Sequence, residues 1–211
     1  MILSRAMAAL LAITPAFAAG SLSACHESAA APVATEVVDP SGERIELTQA
    51  QALTFGTVAS RAHYVKSLLN VPGRINYGDY VWNESGVPAG RIWILVDLAA
   101  QTLSVFRGEH EIGTTVLLYG SDKTPTPLGR FTVLAKSKDH RSSSYNNAPM
   151  PYTLRLTGDG VSIHGSFVQP RAGTHGCLGV PVEFAKRLFA EARIGDEVLI
   201  IRDTSSGKAS A

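Results

Sequence analysis

Cys177 is the residue of this 211-residue chain best suited to nucleophilic chemistry. It closes the run Thr-His-Gly-Cys at residues 174–177, and a second His-Gly pair lies upstream at residues 164–165. A thiolate attacks carbonyl carbon, and an imidazole has to take the proton of the thiol. Glycine lets the backbone turn sharply and approach a reacting carbonyl. The pattern therefore predicts cysteine-based nucleophilic catalysis.

Two other interpretations of these residues stay open. Taken singly, Cys177 fits a buried, inert thiol and His164 a hydrogen-bonded strand histidine. His164, His175 and Cys177 are also zinc-ligand types, but no fourth ligand and no CxxC or HxxxH spacing accompanies them. We predict that the protein uses no metal and no cofactor.

The second cysteine, Cys25, belongs to the N-terminal segment. Arg5 precedes an apolar, alanine-rich run over residues 6–19, which is too short for a transmembrane span and is typical of a secretory signal. The sequence Leu-Ser-Ala-Cys at residues 22–25 resembles a bacterial lipobox, so we expect cleavage before Cys25 and lipidation of its thiol. The alternative is cleavage after residues 16–18, which leaves Cys25 as a free thiol.

Beyond residue 24 the chain carries no net formal charge. The whole sequence has 19 basic and 18 acidic residues, and the signal contains Arg5 and no acid. A neutral chain without a basic run gives no electrostatic case for nucleic acid. Its expected attachment is through the lipid on Cys25, because several acyl tails suffice for stable anchoring. His26 at the next position favours the outer membrane, with the protein facing the periplasm.

The composition predicts three segments that do not form part of a packed core. Residues 1–24 form the signal peptide. Residues 25–42 are the lipidated cysteine and a flexible tether rich in Ala, Pro, Ser and Glu. Residues 204–211 are predicted to be a disordered tail.

The remaining chain divides into two parts. Residues 43–79 form a small N-terminal region of unknown role, with a short helix predicted over residues 47–59 and capped by Thr48. The catalytic domain is predicted over residues 80–203, a length that suffices for one buried core.

Short strands dominate the predicted catalytic domain. Apolar or alternating runs predict strands at residues 91–96, 102–106, 112–119, 131–135, 152–156 and 161–163. The sequence Gly-Asp-Gly at 158–160 ends the fifth of them, and Asp139-His140 and residues 142–147 are interpreted as polar loops. Six strands before any convincing helix predict a mostly β domain, either a β-sandwich or an open barrel.

One main helix is predicted after Cys177. Pro181 suits its first turn and Gly195 ends it. Its apolar stripe consists of Val182, Ala185, Leu188, Phe189 and Ala192. A closing strand follows at residues 198–201, and Trp82 and Trp93 are predicted to lie in the core.

From Tyr80 to Ile201 the chain resembles the YkuD-type L,D-transpeptidases, cysteine enzymes of the bacterial cell wall. The resemblance rests on five motifs, ILVDL with Gln101, TPTPLG, APMPY, IHG and THGC, at residues 94–98, 124–129, 148–152, 163–165 and 174–177. Each is weak alone, but their order and spacing together are specific. The resemblance implies a YkuD-like β-sandwich or open barrel.

The resemblance also implies a two-step acyl transfer. Cys177 attacks the carbonyl between the L-centre of a diamino acid and the terminal D-alanine of a peptidoglycan tetrapeptide stem. D-Alanine leaves, a thioester forms, and an amine of a second stem or of an envelope protein resolves it. His164 matches the general base, oriented by the backbone carbonyl of Gly165, and the N–H groups of Gly176 and Cys177 match the oxyanion donors.

Further positions match residues that shape the site or contact the substrate. His175 matches the second motif histidine, which shapes the site. Tyr152 and its apolar neighbour Met150 match residues that line the cleft. Thr174 and Arg171 are the remaining candidates for substrate contact.

Two features depart from the family pattern. Many relatives carry arginine two residues after the cysteine, where this chain has Gly179. The loop over residues 164–174 is also shorter than in many relatives, which predicts a more open acceptor side. Residues 142–147 match a region that lies over the cleft as a lid.

The sequence therefore predicts a lipid-anchored, periplasm-facing L,D-transpeptidase. Its partners are peptidoglycan stem peptides, the membrane and possible envelope-protein acceptors, and nucleic acid is excluded. Two alternatives stay open. The first is an L,D-carboxypeptidase or amidase that hydrolyses the same thioester. The second is a weakly active wall-binding lipoprotein, for which Gly179 is the support.

Overall fold

The computed structural model of the protein describes residues 35–36, 43–52, 63–71 and 73–202. Its strands are β1 (Arg44–Glu46), β2 (Ser67–Leu69), β3 (Tyr80–Trp82), β4 (Ile92–Asp97), β5 (Thr102–Arg107), β6 (His110–Val116), β7 (Gly129–Thr132), β8 (Ala135–Arg141), β9 (Pro149–Arg155), β10 (Ser162–Ser166), β11 (Leu178–Pro181) and β12 (Glu197–Ile201). Helix α1 (Val182–Glu191) joins β11 to β12. The predicted signal peptide, Cys25 and the predicted tail lie outside the described residues.

The strands form two sheets, which confirms the predicted mostly β fold. The larger sheet has the order β1-β2-β6-β5-β4-β12-β7, with β3 also paired to β6. The smaller sheet has the order β11-β10-β9-β8. Apolar side chains from both sheets and from α1 join in one buried cluster. Strand β10 of the smaller sheet carries His164, and Cys177 directly precedes its strand β11.

Strand β4 shows why one predicted strand was continuously apolar. All six of its residues are buried, so both of its faces are covered. Ile92, Ile94 and Val96 belong to the main core. Trp93 and Leu95 pack on the opposite face in a second cluster with Phe106.

The N-terminal region covers that opposite face. Val65 is fully buried in the second cluster, and Leu47 and Leu68 pack against it. The His63 ring stacks on Trp93 at 4.0 Å. The described residues 43–52 and 63–71 therefore extend and cover the larger sheet.

The helix start predicted at Thr48 is present. The Thr48 N–H donates to Gln51 Oε1 (2.9 Å), and the Gln51 N–H donates to Thr48 Oγ1 (3.4 Å). This reciprocal pair is a capping box. Helical residues are described at 49–52, and the rest of the predicted helix lies outside the described residues.

The single strand predicted over residues 131–135 is wrong. The chain leaves the larger sheet after β7 and enters the smaller sheet at β8. Between them, the Val133 N–H donates to Asp196 O and the Leu134 N–H to Arg155 O. Residues 131–135 pair with strands throughout, although the strands belong to different sheets. The run therefore stays apolar where the chain changes sheets, and the sequence does not reveal the change.

The predicted apolar stripe of α1 was partly wrong. Ala185 and Leu188 are buried as expected, but Val182 is 39% exposed and Phe184 is fully buried. Phe184 packs edge to face on Tyr80 and Trp82, with ring centroids 5.9 and 5.4 Å away. The aromatic contacts set the rotation of the helix and turn Val182 outward.

Candidate active site

Cys177 lies at a sharp turn that leads into a sheet strand. It directly precedes β11, and Gly176 before it has a φ of +108°, a conformation that glycine adopts without steric strain. Cys177 is partly exposed and is the one free cysteine among the described residues. The turn presents the partly exposed thiol at the start of β11.

Two threonine hydroxyls hold this turn. Thr174 Oγ1 donates to the carbonyl oxygen of Cys177 (2.5 Å) and accepts the N–H of Gly176 (3.3 Å). Thr126 Oγ1 donates to the carbonyl oxygen of Gly176 (2.9 Å) and accepts the N–H of Gly120 (2.9 Å). Thr126 is only 5% exposed, so these bonds are shielded from water. The sequence indicates no role for Thr126 beyond its place in the TPTPLG motif.

Gly120 allows its segment to approach the cysteine turn closely. A Cβ atom at residue 120 would lie 2.8 Å from the Cα atom of Gly176, well inside van der Waals contact. The neighbouring backbone also pairs across this contact, with the Thr174 N–H donating to Tyr119 O (3.0 Å). The backbone before the TPTPLG motif thus buttresses the nucleophile.

Replacing Thr126 with valine is expected to loosen the turn. Valine keeps the shape but leaves two buried backbone groups, at Gly120 and Gly176, without a partner, which destabilises the fold by about 2 kcal/mol. Acylation of Cys177 should slow by roughly tenfold or more, because small misplacements of a reacting atom are costly. Thermal unfolding and single-turnover acylation measure the two effects.

The matched control for this change is Thr126→Ser. Serine keeps the hydroxyl and should retain most of the acylation rate. A valine variant that acylates as fast as the wild type would contradict the positioning role of Thr126.

His164 lies on β10, which runs parallel to β11. Ile163 pairs with Leu178, so Cys177 comes opposite Ser162, two residues before His164. Alternate residues of a strand share a face. Ile163 and Leu178 are buried in the core, so His164 and Cys177 project from the other face of the sheet. The fold places these two predicted site residues on one face and on adjacent strands.

Burial and one carbonyl determine the state of His164. Its side chain is 9% exposed, and Nδ1 lies 2.9 Å from the carbonyl oxygen of Gly165. Because a carbonyl only accepts, Nδ1 carries the proton and Nε2 has a free lone pair. Burial lowers the pKa of His164, the Gly165 hydrogen bond opposes this, and the charge of His140 lowers it further. The imidazole is therefore neutral at neutral pH and can accept a proton.

The pKa of the Cys177 thiol shifts in the opposite direction, upward. Burial raises the pKa of Cys177, a hydrogen bond from the Ser162 N–H opposes this, and the Asp159 carboxylate raises it further. In this structure Sγ donates to the carbonyl oxygen of Gly160 at 3.8 Å. A protonated thiol near a neutral imidazole favours general-base activation over a preformed ion pair. In this structure Sγ is bonded to Gly160 O, so proton transfer to His164 requires Sγ to turn toward the imidazole.

The turn between β9 and β10 is therefore part of the site. The sequence predicts for residues 158–160 only that they end a strand. Gly160 contacts the thiol and the charge of Asp159 acts on it. A Gly-Asp-Gly run signals a turn in any protein, so its sequence held no sign of this proximity.

His140 affects His164 electrostatically, and the polar loop predicted at its position is wrong. It lies in β8, where it pairs with Met150, and Asp139 pairs with Pro151. Strand β8 is an exposed edge strand, so no apolar alternation marks it in the sequence. The charge of His140 acts on His164 and lowers its pKa.

His175 makes its ring contact outside the cysteine turn. Its exposed ring stacks on Tyr145, with centroids 3.9 Å apart and planes 17° apart. Tyr145 belongs to the turn between β8 and β9. Within residues 73–202, Thr174 and Thr126 provide the side-chain hydrogen bonds to the cysteine turn. The ring contact of His175 is therefore with the β8–β9 turn, and its site-shaping role stays a prediction.

The residues predicted to contact substrate have varied environments. The Tyr152 ring packs edge to face on Phe189 of α1 at 5.8 Å, on the helix side of the sheet. Met150 is 8% exposed. Arg171 is exposed, with a φ of +62°, and forms no ion pair with another described residue. Their contact with substrate stays a prediction.

Gly179 is packed too closely for a larger residue. Its N–H and C=O both bond to Leu118, at 2.9 and 2.8 Å. A Cβ atom at residue 179 would lie 3.0 Å from Cβ of Ser166. An arginine at this position requires Ser166 to move. The surroundings of residue 179 therefore fit the glycine that stands where many relatives have arginine.

The described ranges show neither a cluster of metal ligands nor a membrane-spanning helix. In this part of the chain no three His, Cys, Asp or Glu side chains group as a metal site. None of its helices has the length and apolar character needed to span a bilayer.

A sequence model of the L,D-transpeptidase catalytic domain, YkuD, matches residues 91–200, just over half of the 211 residues. The chain belongs to the YkuD family. The match contains β4 to β12 and includes Cys177, His164 and the threonines that hold the cysteine turn. It confirms the resemblance seen in the motifs.

Solved L,D-transpeptidase structures are similar over about half of this chain. The enzyme from Stackebrandtia nassauensis is 26% identical, with a TM-score of 0.49, over 55% of this chain and 58% of that one. An Enterococcus faecium mutant enzyme is 28% identical, with a TM-score of 0.48, over 54% and 50%. A Mycobacterium tuberculosis enzyme is 23% identical, with a TM-score of 0.49, over 52% and 57%.

The chain thus spans less than two thirds of each of these three proteins. Because the TM-scores are below 0.5, the family assignment rests on the sequence model. A search of curated proteins found no significant match. In this YkuD-family chain, strands β1 to β3 precede the matched range, so the N-terminal cover of the larger sheet lies outside the part of the chain that the family model matches.

Proposed function

We propose that this protein is a peptidoglycan L,D-transpeptidase that works through a thioester on Cys177. The observation that carries the proposal is the placement of a partly exposed thiol and a neutral imidazole, His164, on one face of adjacent strands within a YkuD domain. The nucleophile and a base of suitable state are the parts that acyl transfer requires.

In the proposed first step, Cys177 Sγ attacks the carbonyl carbon that joins the diamino acid to the terminal D-alanine. The thiol proton passes to Nε2 of His164 as the C–S bond forms. The C–N bond then breaks, and D-alanine leaves with that proton on its amine. Gly165 keeps Nδ1 protonated throughout, so the reacting nitrogen is fixed as Nε2.

In the proposed second step, the neutral amine of an acceptor attacks the thioester carbonyl. The C–N bond forms, the amine loses one proton, and Sγ leaves and regains a proton through His164. Backbone N–H groups of Cys177 and Gly176 are the proposed oxyanion donors. The Gly176 N–H already faces Thr174 Oγ1 at 3.3 Å, a long bond that an oxyanion would compete with.

Incubation of the purified protein with disaccharide tetrapeptides, followed by mass spectrometry, tests the proposal. Cross-linked dimers with release of D-alanine support transpeptidation to a stem peptide. Tripeptides alone indicate the hydrolytic alternative, an L,D-carboxypeptidase. In a parallel incubation with peptidoglycan that carries a bound envelope protein, release of that protein indicates the amidase. An unchanged substrate would contradict the proposed enzyme and favour the wall-binding lipoprotein.

The proposed location is the periplasmic side of the cell envelope, with a lipid anchor on Cys25 that favours the outer membrane. The support is the Leu-Ser-Ala-Cys sequence at residues 22–25. Cys25→Ser should move the protein from the membrane fraction to the soluble fraction or leave it unprocessed. Fractionation and the intact mass of the mature protein measure this. A wild-type protein that is wholly soluble, with its N-terminus near Ala19, would contradict the anchor.

A further inference from the structure

Two residues of the predicted tether lie against the folded domain. Glu36 forms a parallel bridge with Tyr80 of β3, and the Tyr80 N–H donates to Thr35 O (3.1 Å). Tyr80 also pairs with Thr115 of β6, so β3 lies between β6 and this segment. Pairing along a strand edge is a common way for an extended segment to dock on a sheet.

The Glu36 side chain fixes the segment to helix α1 as well. Arg187 Nη2 on α1 lies 2.7 Å from Glu36 Oε2, and the Tyr80 hydroxyl donates to the same oxygen at 3.4 Å. The Arg187 guanidinium also lies over the Tyr80 ring, 5.9 Å from its centroid, within the range of a cation–π contact. One carboxylate therefore joins the segment to a helix and to a strand.

The charges of the two partners are complementary, and their contact is reversible. The predicted tether, residues 25–42, contains three acidic residues and no lysine or arginine. Both side chains of the Glu36–Arg187 pair are partly exposed. A partly exposed ion pair adds little stability, so it can open without unfolding of the domain.

The length of chain before the docked segment limits how far the domain can lie from Cys25. Thr35 is ten residues beyond Cys25, whereas Arg44, the first residue of β1, is 19 residues beyond it. Arg44 is held independently, because its Nε donates to Ser67 Oγ (2.8 Å). A fully extended chain spans at most about 36 Å over ten residues and about 68 Å over 19. Docking at Glu36 thus nearly halves the reach.

We propose that Glu36 docks on Arg187 and Tyr80 and so holds the catalytic domain close to the membrane that carries the Cys25 anchor. The effect on reach rests on the proposed anchor, whereas the docking is a contact within the chain. With the Glu36–Arg187 pair intact, the domain acts on peptidoglycan near the membrane. When the pair opens, the domain reaches about 30 Å farther.

The Tyr80 amide reports docking directly, because its N–H donates to the docked segment. Its hydrogen exchange is measured by NMR on the mature protein in detergent micelles. Glu36→Lys replaces the ion pair with a repulsion from Arg187 and should speed this exchange by about tenfold. The Asn83 amide donates to Ile112 O of β6 (2.9 Å). Its exchange should be unchanged, which shows that the sheet stays folded.

A charge swap provides the matched control. Glu36→Lys combined with Arg187→Glu restores an ion pair of reversed polarity and should return the exchange of the Tyr80 amide to within about twofold of the wild type. Glu36→Lys combined with Lys186→Glu has the same net charge. It places the new acid on a neighbouring residue of α1 that pairs with Glu183, and it should leave the exchange fast.

Neutron reflectometry measures the effect on reach. The lipidated wild type is attached to a supported bilayer of phosphatidylethanolamine and phosphatidylglycerol. The protein layer of Glu36→Lys should extend farther from the bilayer than that of the wild type. The swap with Arg187→Glu should restore the wild-type layer.

Four outcomes would overturn the inference. Unchanged exchange of the Tyr80 amide in Glu36→Lys would contradict the docking. Equal rescue by Arg187→Glu and Lys186→Glu would show that net charge and not the pair is responsible. An unchanged protein layer despite faster exchange would contradict the effect on reach. A wild type that does not bind the bilayer would overturn the proposed anchor and with it the effect on reach, and the exchange result distinguishes this from a failure of docking.

Discussion

Cys177→Ala is expected to abolish thioester formation and leave the fold intact. Cys177 is the one thiol that the structure places within the YkuD domain, and the change from thiol to methyl at a partly exposed position removes little packing. A carbapenem, whose β-lactam carbonyl acylates a reactive thiol, should add its mass to the wild type and not to the variant. Intact-protein mass spectrometry and thermal unfolding measure the two parts of this result.

Cys25→Ser provides the matched control, because the chain has two cysteines. This variant keeps Cys177 and should acquire the carbapenem mass as the wild type does. Labelling of Cys177→Ala to the same extent as the wild type would overturn the assignment of the nucleophile.

His164→Ala is expected to slow thioester formation by at least about a hundredfold, the usual effect of losing a general base. Burial raises the pKa of the thiol, so without a base very little thiolate exists at neutral pH. The rate of the variant should rise at alkaline pH, where the thiol ionises without help. Single-turnover acylation as a function of pH measures both effects.

The acid side of the wild-type pH profile tests the same residue. Burial lowers the pKa of His164 below its usual value of about 6.5. The imidazole therefore stays neutral at pH 6.5, and the acylation rate should fall only at lower pH, as His164 becomes protonated. His164→Ala should lack this acidic fall.

His175→Ala is the control for His164→Ala. Its ring stacks on Tyr145 of the β8–β9 turn, so its loss should affect acylation much less and should release that turn. If His175→Ala lost acylation at unchanged stability while His164→Ala acylated normally, the proposed mechanism would be wrong with the two roles reversed.

Several features were readable from the sequence because they depend on local chemistry. The nucleophile and the histidine were identifiable because their Gly-flanked motifs and order along the chain are specific. The mostly β fold followed from short apolar runs, and β4 was recognisable because burial of both faces makes every residue apolar. The capping box at Thr48 was recognisable in part because it involves residues only three apart.

Other features required the tertiary structure because they depend on contacts between distant segments. No local pattern shows that the chain changes sheets between β7 and β8, that polar β8 is a strand, or that Phe184 sets the rotation of α1. Thr126 lies 50 residues before the Gly176 carbonyl that it holds. Asp159 lies 18 residues before Cys177, and its charge matters only because the β9–β10 turn folds against the thiol.

The sequence by itself determined the chemistry available to this protein, a thiol, a histidine and the glycines that permit a tight turn. The tertiary structure decided the protonation states and the surroundings of these groups. It buried His164 so that the imidazole is neutral, raised the pKa of Cys177, and folded the β9–β10 turn against the thiol. The physical reason is that side-chain types are local properties, whereas desolvation and Coulomb interactions depend on which distant segments the sheets bring together.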